Sequence, residues 1–267
     1  MENKIAVITG GTSGIGAAYA KRFAKEGYDL ILTGRRKEKI EETADQIRKE
    51  TGVAVSVILA ELSLESGISK VADYIKEKNV EILVNNAGFG VVGYYQESDL
   101  SLMEQLAKVN VLAPMELIRT VLPGMIERRK GTIINISSDG IYMIVPRNAV
   151  YSASKAFLKT LTEGLNMDLM GTGVRVMAVC PGLTHTDFHE KIGMDKSRQT
   201  DNGPVKWIEP EAVVTASLKD LDNGKIISIP SFSTKVLTFF LNRMPRKSYY
   251  KFMYQFSHKH FEKRKLQ

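Results

Sequence analysis

With Cys180 the only cysteine in 267 residues, no intrachain disulfide can form, and a reducing, cytoplasmic setting is expected. No uninterrupted apolar run reaches the ~18 residues of a bilayer-spanning helix. The opening MENKIAVITGG passes from one Lys into a strand-like run and then glycines, unlike a signal peptide. Internal repeats, low-complexity tracts and Pro/Gly/Ser-rich linkers are also missing, which argues against a split chain. His185 and His189 stand four apart without a third ligand nearby, so no metal is expected, because such sites need three or four ligands. Acids are missing from one region in particular. Residues 231–267 hold nine of the 37 Lys/Arg but only one of the 30 Asp/Glu, Glu262. The net +7 is therefore a tail of +8 on a body of −1, and the basicity is not a property of the domain.

What is present is ordinary for a globular protein, 43% hydrophobic and 25% charged. Seven short apolar, β-branched runs recur: KIAVIT (4–9), YDLILTG (28–34), VAVSVILA (53–60), VEILVNN (80–86), TIINISS (132–138), VRVMAVC (174–180) and KIISIP (225–230). Near-continuous Val/Ile runs suit strands buried on both faces, and the helical patterns between them supply the crossovers of parallel strands. A single α/β domain is expected, a doubly wound seven-stranded parallel sheet with helices on both faces. The least regular stretch, 185–210, reads as an excursion after the sixth strand.

The first strand is followed by TGGTSGIG (9–16) and a helical segment. Glycines at 10, 14 and 16 allow a tight turn and close backbone approach to a pyrophosphate, whose charge the free N–H groups of a helix start favour. Ala17 and Ala18 suit close packing of that helix on the sheet. After the second strand, where an acid would bind ribose hydroxyls, the chain reads LTGRRKEK: Gly34, then Arg35 and Arg36. Guanidinium forks match a 2′-phosphate that a carboxylate would repel, so NADP(H) is favoured over NAD(H).

YSASK (151–155) puts Tyr151 and Lys155 four apart, on one face of a helix. An ammonium there favours the phenolate and lowers the tyrosine pKa from ~10. Taken alone, the pair also fits a half-buried Tyr beside a solvated Lys.

Together TGGTSGIG, NNAG (85–88), Asn110 in KVNV, Ser138 thirteen residues before Tyr151, YSASK and PGLTHT (181–186) resemble, in order, the classical short-chain dehydrogenases/reductases. The likeness spans roughly residues 4–230. It implies a Rossmann fold and hydride transfer between a nicotinamide and a carbonyl or alcohol. By resemblance Tyr151 is the acid/base and Lys155 tunes it and meets the nicotinamide ribose. Ser138 polarises the substrate oxygen, and Asn110 holds a water serving the lysine. The cofactor positions carried over are Gly10, Thr12, Ser13, Gly14, Ile15 and Gly16 at the pyrophosphate, with Arg35 and Arg36 at the ribose phosphate. Glu61 and Leu62 fall at the adenine, and Asn86, Ala87 and Gly88 at the adenosine ribose. Pro181, Gly182, Thr184 and Thr186 fall beside the nicotinamide, as do Tyr151 and Lys155. Glu61 departs from the family's aspartate by one methylene.

FGVVGYY (89–95), GIYMIVP (140–146) and Leu183 are nearly all apolar, which suits a hydrophobic carbonyl or alcohol substrate. Bacterial ketoacyl carrier-protein reductases share the core motifs but usually follow NNAG with a polar run missing here. A thioester-linked 3-oxoacyl substrate remains an alternative. The other classes are a non-catalytic nucleotide sensor and a membrane- or nucleic-acid-binding protein; the intact Asn, Ser, Tyr, Lys set argues against the first, and no nucleic acid is expected. A homo-oligomer is expected. The chain divides into a catalytic domain, 1–230, and a basic aromatic extension, 231–267, with two fates: a lid or subunit interface, or peripheral contact with a membrane.

Overall fold

The computed structural model describes residues 4–192, 199–201 and 206–258. The strands β1 (Ile5–Thr9), β2 (Asp29–Gly34), β3 (Val55–Leu59), β4 (Val80–Asn85), β5 (Gly131–Ile136), β6 (Val174–Val179) and β7 (Ile227–Ser228) form one sheet. Its order is β3-β2-β1-β4-β5-β6-β7, and every pairing is parallel. Each expected strand is there. The last is cut to two residues, because Lys225 turns its N–H and its ammonium to Asp220 and Pro230 has no N–H to pair.

Ten helices are named along the described chain: α1 (Gly14–Lys25), α2 (Lys37–Thr51), α3 (Glu65–Lys76), α4 (Leu100–Ala107), α5 (Ala113–Glu127), α6 (Ala149–Asp168), α7 (Asp187–Lys191), α8 (Pro210–Asp222), α9 (Phe232–Arg243) and α10 (Arg246–Ser257). Successive strand residues point to opposite faces, so the Val/Ile runs feed two cores. Ala6, Ile8, Val84 and Ile134 meet α1, α2 and α8 through Tyr19, Ile40 and Val213. Val7, Leu83, Ile133 and Val176 meet α3 and α5 through Val71, Leu117 and Val121, with Leu161 and Leu165 of α6 at the margin. Leu100–Glu127 is one continuous helical run whose length, and whose most apolar 18-residue stretch with a mean hydropathy of 1.3, would suit a membrane span. Its Leu117, Val121 and Met125 are core residues, and a core helix passes the same test.

From β1 the chain builds outward to β3, then returns across β1 to start the other half at β4. Ligands bind in the crevice that opens at such a reversal, beyond the carboxyl ends of the strands. The Gly-rich turn after β1 and NNAG after β4 face each other there.

Candidate active site

Thr9 ends β1 almost wholly buried, and its hydroxyl accepts from the N–H groups of Asn86 and Ala87, each at 3.0 Å. The Asn86 amide answers by donating to the carbonyls of Thr9 and Gly10 at 3.0 Å. The two turns are thereby locked into one floor. A Cβ on Gly16 would collide with the Gly10 carbonyl and the Asn86 amide, and one on Gly14, which has φ +57°, would lie 2.7 Å from Thr186 Cγ2. No acid stands in the first turn of α1, so its N–H groups and dipole face the crevice unopposed. This cradle of glycine, helix start and adjoining arginines fits a dinucleotide pyrophosphate.

Gly34 is needed because a Cβ there would come within 2.8 Å of Thr12 Cγ2. Arg36 donates to Thr12 Oγ1 at 3.2 Å and reaches Asp187 of α7 at 3.4 Å, a clasp across the crevice. Arg35 donates to Glu61 at 3.0 Å. Burial alone would raise the Glu61 pKa, but bonds from Ser63 and Arg35 outweigh it and hold the carboxyl below its ordinary range. Glu61 thus positions Arg35, a role its sequence offset from the family aspartate did not announce. The Leu62 side chain is buried in the second core, so only its backbone can face the crevice.

Asn110 is fully buried on a π-helical turn, Lys108–Leu112, between α4 and α5. Such one-residue widenings of a helix recur at functional sites. Its amide donates to the Phe89 carbonyl at 3.1 Å and to Ser154 Oγ at 3.0 Å, and its carbonyl accepts from Phe89 N–H at 3.3 Å. A Cβ on Gly88 would sit 3.0 Å from Asn110 Oδ1 and 3.1 Å from Lys155 Nζ, which brings those two groups against the same glycine. Lys155 is 4% exposed and donates to the Ile136 carbonyl at 2.9 Å. Burial pulls its pKa down to about 8.

Tyr151 is 9% exposed, with its ring 5.6 Å from Phe188 of α7. Lys155 Nζ lies 5.9 Å from the ring centroid. The lowering expected from Lys155 is not what the protein alone produces. Burial raises the Tyr151 pKa above its ordinary value; hydrogen bonding by Ser138 pulls it down, while Asp139 and Cys180 push it further up. The reason is that desolvation of a phenolate this deep decides the shift, while the Lys155 ammonium is held by the Ile136 carbonyl at 2.9 Å. Ser138 accepts from Gly140 N–H at 3.0 Å and faces Tyr151.

In the loop after β6, the Pro181 carbonyl accepts from Asp139 N–H at 2.9 Å. Thr184 is buried and donates to the Gly182 carbonyl at 3.0 Å, and Thr186 caps α7. His185 and His189 both pack on Trp207, at 5.0 and 4.7 Å between centroids. Burial, with His185 beside it, brings the His189 pKa down to about 4.

Residues missed in the sequence lie behind or above the motifs. Asn85, first of NNAG, turns inward to Asn135, which donates to Thr162, a buried polar chain beneath the site. Asp139 follows Ser138, and burial brings its carboxyl up to about 7. Thr234 of α9 approaches Gly182, where a Cβ would meet its Oγ1 at 2.8 Å. Tyr249 of α10 donates to the Tyr142 carbonyl at 2.8 Å and accepts from Ile144 N–H at 2.9 Å. Only the serine-rich end of β5 hinted at Asp139; contacts from a segment a hundred residues away leave no local pattern.

Asp139 yields a pH-dependent expectation. The fold disfavours its ionised form, so between about pH 4 and 7 the native state holds a proton the unfolded chain releases, and stability falls as pH rises through that window. In thermal melts Asp139→Asn should gain on the wild type from pH 5 to pH 8, by on the order of a few kcal/mol. Removing the carboxylate also removes one upward push on Tyr151, so alcohol oxidation should reach its plateau at lower pH. A constant gap in melting temperature and an unmoved profile would show that Asp139 does not titrate there.

A crevice of this construction, at the switch point of a doubly wound sheet with a Tyr–Lys pair at its edge, defines a nucleotide-binding oxidoreductase. The family model described as short chain dehydrogenase matches residues 4–197. A very-long-chain 3-oxoacyl-CoA reductase of Mus musculus is 32% identical over 256 residues, covering 94% of this chain and 79% of its own. An uncharacterised oxidoreductase of Staphylococcus saprophyticus is 31% identical, covering 86% and 95%. A short-chain dehydrogenase from Sphingobium yanoikuyae, solved in complex with NADPH, superposes with a TM-score of 0.78 at 33% identity, covering 86% of this chain and 88% of that one. The chain belongs to the short-chain dehydrogenase/reductase family.

Proposed function

We propose that this protein is an NADP(H)-dependent reductase of hydrophobic ketones or aldehydes, acting through Tyr151, Ser138, Lys155 and Asn110. The observation that carries the reading is the convergence of those four side chains at the edge of the glycine cradle, two of them meeting at Gly88. The glycine turn at Gly10, Gly14 and Gly16, with Arg35 and Arg36, would hold NADPH, which would supply the hydride taken up by the carbonyl carbon. Tyr151, kept protonated by burial, gives its proton to the oxygen as the alkoxide forms. Ser138 donates a hydrogen bond to that oxygen and holds it in place. Lys155, cationic near neutral pH, stabilises the phenolate left behind and returns a proton to it, and a water held by Asn110 would pass a solvent proton to the lysine in turn, while the Asn110 amide fixes the backbone at Phe89.

A 3-oxoacyl thioester is the favoured substrate class within this reading, because the mouse relative is named for one and such a chain is a hydrophobic ketone. In this reading residues 1–230 are the catalytic domain, and the 231–267 extension contributes α9 and α10, which pack on Met143 and Val145. Exposed Leu112 and Met115 on one stripe of the α4–α5 helix support a homo-oligomer. A cytoplasmic setting agrees with a lone, buried thiol whose pKa burial lifts to about 12.

The test is a panel of short and long-chain ketones, aldehydes and 3-oxoacyl thioesters assayed with NADPH and NADH. Turnover that rises with acyl length and favours NADPH is expected; no turnover with any carbonyl would overturn the proposal. Arg35→Asp then tests coenzyme choice. It loses a phosphate partner and sets a second carboxylate against Glu61, so the NADPH to NADH ratio should fall by roughly 10- to 100-fold, as a charged hydrogen bond of about 1.5–3 kcal/mol implies. An unmoved ratio would make Arg35 a surface residue.

A further inference from the structure

α9 and α10 have an inner and an outer face, and both are apolar. Inward, Leu241, Tyr249 and Met253 form a small core with Met143 and Val145 of the substrate-side loop. Outward, α9 presents Phe232, Val236, Phe239 and Phe240, spaced i, i+4, i+7 and i+8 along one stripe, with Phe232 80% and Phe240 63% exposed. On α10, Tyr250 and Tyr254 lie one turn apart, 58% and 62% exposed. Arg243, Arg246, Lys247 and Lys251 accompany these rings in sequence, Lys235 reaches Asp220 of α8 at 3.9 Å, and no acid occurs from Ser231 to Ser257. A soluble helix hides its apolar stripe and shows a polar one. These two show large rings and cations together.

We infer that the outer face of α9–α10 docks on an anionic lipid surface. Rings of this size enter the headgroup boundary while Lys and Arg meet lipid phosphates, the division of labour of interfacial helices. A second copy fits less well. A two-fold interface would set this face against itself, cation opposite cation with no acid to offset them. Single-stranded nucleic acid also meets aromatics and cations, but its bases stack on rings set along a groove, and here the exposed Phe232, Phe239 and Phe240 lie along one stripe of a single helix, α9. The inner face touches the substrate-side loop and Thr234 approaches Gly182, so docking would hold the mouth of the site at the lipid boundary. The docking itself does not rest on the redox reading.

Full-length protein is sedimented with vesicles of phosphatidylcholine alone and with about one-third phosphatidylglycerol, at low and moderate salt. Recovery with anionic vesicles should exceed that with neutral ones by at least about tenfold at low salt and fall as salt is added, as a surface potential acting over a Debye length requires. Phe239→Asp with Phe240→Asp, and separately Arg246→Gln with Lys247→Gln and Lys251→Gln, should each cut anionic recovery by about tenfold while reduction of a water-soluble ketone persists. Equal recovery in the supernatant with both vesicle types would overturn the inference. So would binding of single-stranded RNA without vesicle binding, or a dimer in solution that the Phe239→Asp pair dissociates. The wild-type comparison of lipids and salts decides even if a variant fails to fold.

Discussion

Tyr151→Phe should lower turnover of any accepted carbonyl by about 10²- to 10⁴-fold, the range that a positioned general acid contributes, while NADPH binding by fluorescence titration stays near wild type. The ring remains, so its packing against Phe188 at 5.6 Å and the burial of the site are kept. Only the transferable proton and the hydroxyl facing Ser138 are lost. Ser138→Ala should cost less, since that hydroxyl orients the oxygen and transfers nothing. Turnover of Tyr151→Phe within about tenfold of wild type would remove the tyrosine from the mechanism.

Lys155→Met should do two things at once: lower turnover by about a hundredfold or more and raise the melting temperature at pH 7. Burial holds the folded pKa at about 8 against an ordinary 10.5. Below about pH 8 both states are charged and the native state carries the full desolvation penalty; between 8 and 10.5 the native state loses its proton first, and the penalty fades. A methionine of similar length fills the space without a charge. It leaves the Ile136 carbonyl without its 2.9 Å donor, which offsets part of the gain. A net stabilisation of roughly 1–3 kcal/mol is expected at pH 7, in line with apolar replacement of buried charge, and little or none at pH 10. Melts that show no gain at pH 7, or an equal gain at both, would mean the ammonium is already well solvated. Activity and stability here pull against each other at one atom, as expected of a site that keeps an unfavourable charge for use.

The sheet was legible because its strands are buried on both faces, and residues such as Val7, Leu83 and Ile133 leave an unbroken apolar trace. The glycine turn and the shared face of Tyr151 and Lys155 could be placed from the sequence because glycine spacing sets a turn and i, i+4 spacing sets a helix face. The π-helical turn at Asn110 was not, since one extra residue in a helical turn barely disturbs a 3.6-residue pattern over so short a segment. Thr9 escaped notice as a lone hydroxyl at a strand end, yet it ties the two nucleotide-binding turns together. The upward shift at Tyr151 was missed for another reason: spacing gives the direction of a neighbouring charge but not the depth of burial, and depth decides here. The extension showed its rings and cations in composition alone. That α9 and α10 settle on residues 142–145 is a matter of tertiary placement. Lys259, Lys263, Arg264 and Lys265 of that extension lie outside the described residues.

Tyr249 bonds Tyr142 and Ile144 across separations of 107 and 105 residues, and this orders events during synthesis. A ribosome adding about 5–20 residues per second delivers the sheet and its Tyr–Lys pair first. The polypeptide then needs several seconds more before α10 emerges to grip the substrate-side loop. A chain released at the end of β7 would hold the glycine turn, NNAG and the Tyr–Lys pair beside a 142–145 loop with no clamp, so the last helices to be made finish that loop and not the sheet.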